Sequence, residues 1–488
     1  MNNAMIRYIL GTILKIEAGF LLLPCLVALI YQEKEGLIYA LLCLIGLLTG
    51  FLLSKRKPKD TIIYLKEGCI ATSLSWIILS LFGALPFVFT GEIPHFTNAM
   101  FEAVSGFTTT GASILNDVEA LSHTSLFWRS FTHWIGGMGV LVFLLAIIPM
   151  SGGSHINLMR AESPGPSVGK LVPKLRYTAR ILYVIYFGLT IMQIIFLLFG
   201  GMNLFEAICT STGTAGTGGF GIKNNSIAGY SPYIQWVTTI FMILFGINFN
   251  AYYLILFKEI KKALSMEEVR TYLLIILTAT AIIAIDILDI SKGLFDAITH
   301  AAFQVASIIT TTGFATTDFD LWPQSSKVIL VLLMFCGACA GSTGGGIKVS
   351  RFIIAVKTIF KELNSYIHPK SVKKIKFEDK MVEHDVMRSV NVYFITFIML
   401  FALSVFLVSI EGKDLTTNFT AVAATLNNIG PGLALVGPTC NFGHFTDFTK
   451  WVLIFDMLAG RLELFPLLIL FHPAIWKESI KSITKKQV

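Results

Sequence analysis

Four short polar clusters in this chain have the composition of a cation site built without acidic ligands. They read Thr108-Thr109-Thr110-Gly111, Ala215-Gly216-Thr217-Gly218, Thr310-Thr311-Thr312-Gly313 and Asn427-Asn428-Ile429-Gly430, and they recur at intervals of roughly one hundred residues. Each lies between long apolar stretches. A glycine lets the backbone adopt a positive φ and turn its carbonyls one way, and threonine adds a hydroxyl that can brace or coordinate. Four such turns meeting at one axis would line a hole with oxygens that replace a cation's hydration shell. The expected ligand is a cation, bound by main-chain carbonyls.

Two further features stand apart. Gly341-Ser342-Thr343-Gly344-Gly345-Gly346-Ile347-Lys348 is similar to a phosphate-binding loop, but Ile347 separates the last glycine from the lysine, and no soluble strand precedes it. Four glycines in six residues unwind a helix, so the segment 337–348 is expected to be a movable constriction or a site of close helix packing. Arg461 falls about fourteen residues into the last apolar stretch, where lipid exposure is costly, so it must face protein or water. It is expected to point into the pore, limiting flux or holding the glycine segment, or to bond backbone carbonyls. Glu463, two residues on, does not face it on a helix. Arg129, His133 and Trp134 read as membrane-interface anchors. The nine histidines form no metal-ligand pattern, and no nucleophile-and-base spacing supports hydrolysis, so the chain is not expected to be an enzyme or to carry a covalent cofactor.

The elements that must position these residues are set by hydropathy. The chain is 54% hydrophobic and 14% charged, which excludes a soluble globular protein of 488 residues. The expected fold is all-α and polytopic, with ten transmembrane helices near 7–31, 36–54, 66–90, 126–150, 178–200, 232–257, 270–290, 325–360, 386–410 and 447–472. The net charge of +8 is concentrated in alternate loops: Lys55 to Lys66, Arg160 to Arg180, Lys258 to Arg270, Lys357 to Arg388 and Lys477 to Lys486. That asymmetry places those loops and both termini in the cytoplasm. It argues for contact with anionic lipid and not with nucleic acid. The seven cysteines are scattered, so no disulfide framework is expected, and Cys336 and Cys339 read as small packing residues.

Short apolar segments precede the clusters: Phe96 to Phe107, Leu204 to Thr212, Leu294 to Ile309 and Thr416 to Leu426. They are too short to cross, so each is expected to enter from outside as a half-helix and break at its cluster. Phe101-Glu102-Ala103, Phe205-Glu206-Ala207 and Phe295-Asp296-Ala297 suggest a common start, with the acid in the first turn at the positive end of the helix dipole. The predicted organisation is an N-terminal helix pair (1–60) and four repeats of span, half-helix, turn and span, at 61–155, 156–262, 263–375 and 376–488.

With these features on the page, the chain resembles the membrane subunits of bacterial Trk-type potassium uptake systems, within the Trk/Ktr/HKT superfamily. The resemblance rests on the four turns, on Arg160-Ala161-Glu162-Ser163-Pro164-Gly165-Pro166, on Trp134-Ile135-Gly136-Gly137-Met138-Gly139, on Gly341 to Lys348 and on Gly460-Arg461-Leu462-Glu463. It covers nearly the whole chain, including the N-terminal pair. It implies four membrane–pore-loop–membrane units around one pore, a homodimer with one pore per subunit, and a TrkA-like cytosolic regulator of the RCK type that carries the nucleotide. It implies that Gly111, Gly218, Gly313 and Gly430 are the key filter glycines, that 341–348 is an intramembrane gate, and that Arg461 is the pore arginine. The second and fourth clusters depart from the Thr-Thr-Thr-Gly pattern.

The expected function is therefore potassium uptake across a bacterial inner membrane through a gated, channel-like pore. The rivals are a proton- or sodium-coupled symporter, for which Asp456 is the one candidate intramembrane carboxylate, and a sodium-permeable member of the same fold.

Overall fold

Apolar length dictates the framework. In the computed structural model, which describes residues 2–58, 62–137, 139, 175–370 and 374–475, these residues are mostly helical. Among the described residues, six helices are long and apolar enough to cross a bilayer: Asn3–Tyr31, Glu35–Ser54, Leu65–Thr90, Ala179–Phe199, Glu267–Asp286 and His384–Ser409. The only strands among these residues are the two-residue pair Lys376–Phe377 and Lys380–Met381, which form a hairpin. The Arg160 to Pro166 motif, Met138 and the basic run Lys477 to Lys486 lie outside the described residues.

Between the long helices sit four short ones: Phe96–Phe107, Leu204–Ala215, Leu294–Ile309 and Leu415–Leu426. All end at a polar cluster. Their N-termini are capped by side chains where the sequence provides them. Asn203 accepts from Glu206 N at 2.8 Å and Asp414 from Thr417 N at 2.8 Å, each satisfying a helix-start donor. The second short helix runs to Ala215, three residues past its expected end, because Gly213 is accommodated inside the helix against the Phe314 ring.

Four of the expected spans are broken, and only the break at the glycine-rich segment is expected from the sequence. His123–Gly137 is 15 residues long and is followed by Gly139 at φ 73°. Pro232–Gly246 bends by 91° into Phe249–Leu256. Gln324–Cys336 stops at the glycine-rich segment, and the chain resumes as Val349–Ile367. Asp447–Arg461 closes at Glu463 and Leu464, both at positive φ. A helix of 15 residues reaches roughly 22 Å, short of the ~30 Å hydrocarbon core. Each break leaves helix-end carbonyls that need partners.

Candidate functional site

The four clusters share one backbone conformation. In the first, Thr109 N donates to Gly106 O at 3.1 Å and Thr110 N to Ser105 O at 2.8 Å, with Thr109 at φ 56°. This pair of bonds around one left-handed residue is the Schellman helix stop. The long bond recurs as Gly218 N to Gly213 O at 2.9 Å, Thr312 N to Ser307 O at 2.8 Å and Ile429 N to Ala424 O at 2.7 Å. The left-handed residues are Thr217, Thr311 and Asn428, at φ 54°, 61° and 56°. A β-branched residue rarely adopts this conformation, and each left-handed residue costs about 1–2 kcal/mol. Three threonines therefore hold a strained backbone at the same point of three turns.

This register corrects one assignment. Thr109 is equivalent to Thr217, so the residue equivalent to Gly111 is Gly219, not Gly218. Both Gly111 (φ 78°) and Gly219 (φ 77°) have positive φ, as does Gly313 (φ 85°). The second turn is Gly216-Thr217-Gly218-Gly219, and Ala215 is the last helical residue. Gly430 lacks the positive φ because Pro431 follows, and a residue before proline is driven to extended backbone.

The turns close into a ring in chain order. A methyl group on Gly111 would collide with Gly218 O of the second turn, and one on Gly219 with Thr312 O of the third. A methyl on Gly313 would lie 2.9 Å from Gly430 N, and one on Gly430 would lie 2.9 Å from Gly111 O. Each terminal glycine thus touches the next turn, and the fourth returns to the first. Gly111, Gly219, Gly313 and Gly430 all line one open vestibule of about 210 Å³.

Most of the threonine hydroxyls brace the turns. Thr108 Oγ1 donates to Val104 O at 2.6 Å and meets Thr110 Oγ1 at 2.8 Å; Thr310 and Thr312 repeat this at 2.6 and 2.7 Å. The second turn lacks those hydroxyls because His133 fills their place. A methyl on Gly218 would collide with the His133 ring, and one on Gly216 with its carbonyl. His133 Nδ1 lies 2.7 Å from Gly106 O, and Nε2 accepts from Phe220 N at 3.2 Å. One neutral tautomer, with the proton on Nδ1, satisfies both bonds. In the fourth turn Asn428 Nδ2 donates to Thr110 Oγ1 at 3.0 Å and to Met457 O at 2.9 Å, so an amide ties the last turn to the first.

Arg129 and His133 are buried, which corrects their reading as interface anchors. Arg129 Nε pairs with Glu102 Oε1 at 2.6 Å, and Nη1 donates to Gly221 O at 2.8 Å behind the second turn. Glu102 is not in the first turn of its helix; it accepts from Ile114 N at 3.0 Å and fixes the chain leaving the first turn. Glu206 and Asp296 do occupy first turns, so the shared aromatic–acid–alanine triads are not structurally equivalent. Trp134 is half-buried, its Nε1 donating to Thr190 Oγ1 at 3.3 Å.

The glycine-rich segment meets the opposite side of the ring from the vestibule glycines. Gly345 N donates to Thr311 Oγ1 at 2.6 Å. A methyl on Gly344 would lie 3.0 Å from Thr310 O, and one on Gly345 would lie 2.6 Å from Asn427 O. Thr343 Oγ1 donates to Phe245 O at 3.2 Å and Cys339 N to Gly246 O at 3.1 Å, which satisfies carbonyls at the bend after Pro232–Gly246. The loop is closed on itself by Lys348 Nζ donating to Gly344 O and by Val349 N donating to Ala338 O at 3.1 Å. Ser342 Oγ bonds Cys339 O at 2.6 Å, and Gly341 and Gly346 supply positive φ at its bends.

Arg461 joins three segments of the chain. Nη1 donates to Thr343 O at 3.1 Å, and Nη2 donates to Gly136 O and, at 3.0 Å, to Gly137 O. It therefore neutralises the negative end of the helix His123–Gly137 while holding the glycine loop. Glu463 pairs with Arg351, which also lies 4.0 Å over the Tyr393 ring. Among the described residues no cluster of His, Cys, Asp or Glu could hold a metal ion.

A ring of strained, close-packed turns, open on one face and covered on the other, inside a bundle of apolar helices, defines a membrane transport protein. The TrkH family, described as a cation transport protein, matches residues 38–479. The Trk system potassium uptake protein TrkH of Salmonella typhimurium is 36% identical over 487 residues, covering 98% of this chain and all of that one. TrkG of Escherichia coli K12 is 33% identical over 488 residues, with 98% and 100% covered. The crystal structure of the potassium transporter TrkH from Vibrio parahaemolyticus superposes with a TM-score of 0.88 at 33% identity, covering 98% of this chain and 100% of that one. The chain belongs to the TrkH family; it is a transporter, not an enzyme.

Proposed function

We propose that this chain takes up potassium through the ring of four turns and that the glycine-rich loop closes the path on its far side. The observation that carries this reading is the hydrogen bond from Gly345 N to Thr311 Oγ1, which seats the loop directly against a turn. The relatives named above are potassium uptake proteins. The filter is then 108–111, 216–219, 310–313 and 427–430, with backbone oxygens replacing the ion's water. The gate is 341–348 with Arg461.

The finer architecture belongs to the same proposal. An N-terminal pair and four repeats, with the boundaries given above, make ten membrane passages, four of them through broken helices. Both termini lie in the cytoplasm of a bacterial inner membrane. The functional unit is a homodimer, regulated by a TrkA-like RCK subunit that binds the nucleotide and docks on the basic loops around Lys170, which lies outside the described residues, around Lys258 and between Lys357 and Arg388. Coupled symport has less support, since Asp456 bonds Ser404 of a neighbouring span at 2.7 Å and not a residue of the four turns.

Potassium uptake into liposomes holding the purified protein, with a potassium gradient and no proton or sodium gradient, tests the reading. Passive flux that favours potassium over sodium supports it. Flux that appears only with a proton or sodium gradient would replace it with symport.

A further inference from the structure

We propose that Glu268 is a positioning residue that fastens both ends of the glycine-rich loop and so holds the loop against the ring. The proposal rests on the reading of that loop as a gate. Glu268 is the second residue of the helix Glu267–Asp286 and is buried. Its Oε1 accepts from Ala340 N at 2.7 Å, just before the glycine run, and from Ser350 N at 3.2 Å, just after it. Its Oε2 accepts from Asn248 Nδ2 at 3.3 Å.

The two backbone partners, Ala340 N and Ser350 N, are donors that the break between Gln324–Cys336 and Val349–Ile367 leaves open. Ser350 is in the first turn of Val349–Ile367, where backbone N–H groups have no helical acceptor and a negative charge is favoured. Asn248 is the hinge residue of the 91° bend between Pro232–Gly246 and Phe249–Leu256, and it caps the second of these through Asn250 N at 2.9 Å. Beside it, Phe249 N donates to Gly341 O at 3.0 Å. One carboxylate thus collects the two feet of the loop and the hinge on which the loop leans. Charge-assisted bonds from backbone N–H groups to a buried carboxylate are the strong kind.

The corner that carries Glu268 is fixed from the loop side of the protein as well. Glu268 N donates to Glu378 Oε1 at 3.1 Å, in the hairpin turn between Lys376–Phe377 and Lys380–Met381. Lys357 Nζ bridges Glu267 Oε2 and Lys376 O, both at 2.7 Å. Movement of the hairpin therefore acts on the residue that grips the loop. These bonds belong to the conformer with the loop seated under the ring, so removing them lowers the population of that conformer.

The test is a double-mutant cycle in liposomes without a regulatory partner. Glu268→Ala and Glu268→Gln are compared with the wild-type chain, with a chain shortened within 341–346, and with both changes combined. Glu268→Ala is expected to raise potassium flux at least about fivefold, with Glu268→Gln between it and wild type, and neither shifting the potassium-to-sodium ratio. In the shortened chain Glu268→Ala should add nothing. If Glu268→Ala does not fold, Glu268→Gln carries the test, because its amide places a donor against Asn248 Nδ2. Unchanged flux in the variant that folds, a changed ion ratio, or an equal rise in the shortened chain would overturn the proposal. If shortening the loop itself has no effect, the gate reading fails, and this inference with it.

Discussion

Thr311 Oγ1 accepts a hydrogen bond from Gly345 N at 2.6 Å, and Thr311 is itself held at φ 61°. The strained residue of the third turn is therefore also the residue that the glycine loop touches. In the proposed pathway, filter and gate are not separate layers but adjoining parts of one contact.

The strain can be measured. Thr217→Gly removes a left-handed β-branched residue and is expected to raise stability by about 1 kcal/mol. The same change frees the backbone of the second turn, so potassium should be favoured less strongly over sodium. Thermal unfolding in detergent and bi-ionic flux check the two halves.

The register of the second turn has its own test. Gly219→Ala drives a methyl into Thr312 O and is expected to disturb the ring as Gly111→Ala does through Gly218 O. Both should lower ion discrimination. Gly218→Ala instead strikes the His133 ring, so pairing it with His133→Ala should restore expression and folding, whereas Gly219→Ala gains nothing from that second change. Rescue of Gly219→Ala by His133→Ala would contradict the register.

Removing Arg129 leaves Glu102 as a buried, uncompensated carboxylate. Arg129→Ala is expected to cost about 3–5 kcal/mol, and Arg129→Ala with Glu102→Gln less than the single change. Chemical or thermal unfolding of the three variants measures this.

Asp414 caps the helix Leu415–Leu426 from the loop that precedes it. Bonds from the Thr417 hydroxyl and N–H hold its carboxyl below the ordinary aspartate range. A carboxylate with a depressed folded-state pKa stabilises above the unfolded value of about 3.9 and loses that contribution as pH falls through the folded value. Asp414→Ala is expected to cost about 1 kcal/mol at neutral pH, and the difference from wild type should vanish in acid. A difference that persists well below pH 3 would assign the effect to packing.

Hydropathy made the long helices and the positions of the four clusters legible, because those depend on runs of residues. Of the breaks in the helices that follow the clusters, only the one at the glycine run 341–346 was legible. Gly136, Gly246 and Gly460 look like packing residues until the chain is folded, when the spans are seen to stop beside the turns. The one-residue shift in the second turn was hidden for a similar reason: glycine at 213, 216, 218 and 219 gives no unique helix stop, and only the His133 ring decides among them. Arg129 and His133 sit where interface anchors sit, and nothing local announces that they face inward. Arg461 was legible as costly in lipid, though not that it would cap the helix of the first unit. Glu268 is a first-turn acid in a sequence with several, and its partners lie some 70 to 80 residues away at Ala340 and Ser350.

In the proposed function the loop 341–348, seated on Thr311 and tied down by Arg461, closes a passive potassium path. The most direct measurement is potassium flux into liposomes by the purified chain, intact and shortened within 341–346, under a potassium gradient alone. A clear rise in flux on shortening, with the potassium-to-sodium ratio unchanged, is the predicted result. Flux that is equal in the two chains, or absent from both until a proton or sodium gradient is imposed, would contradict the account.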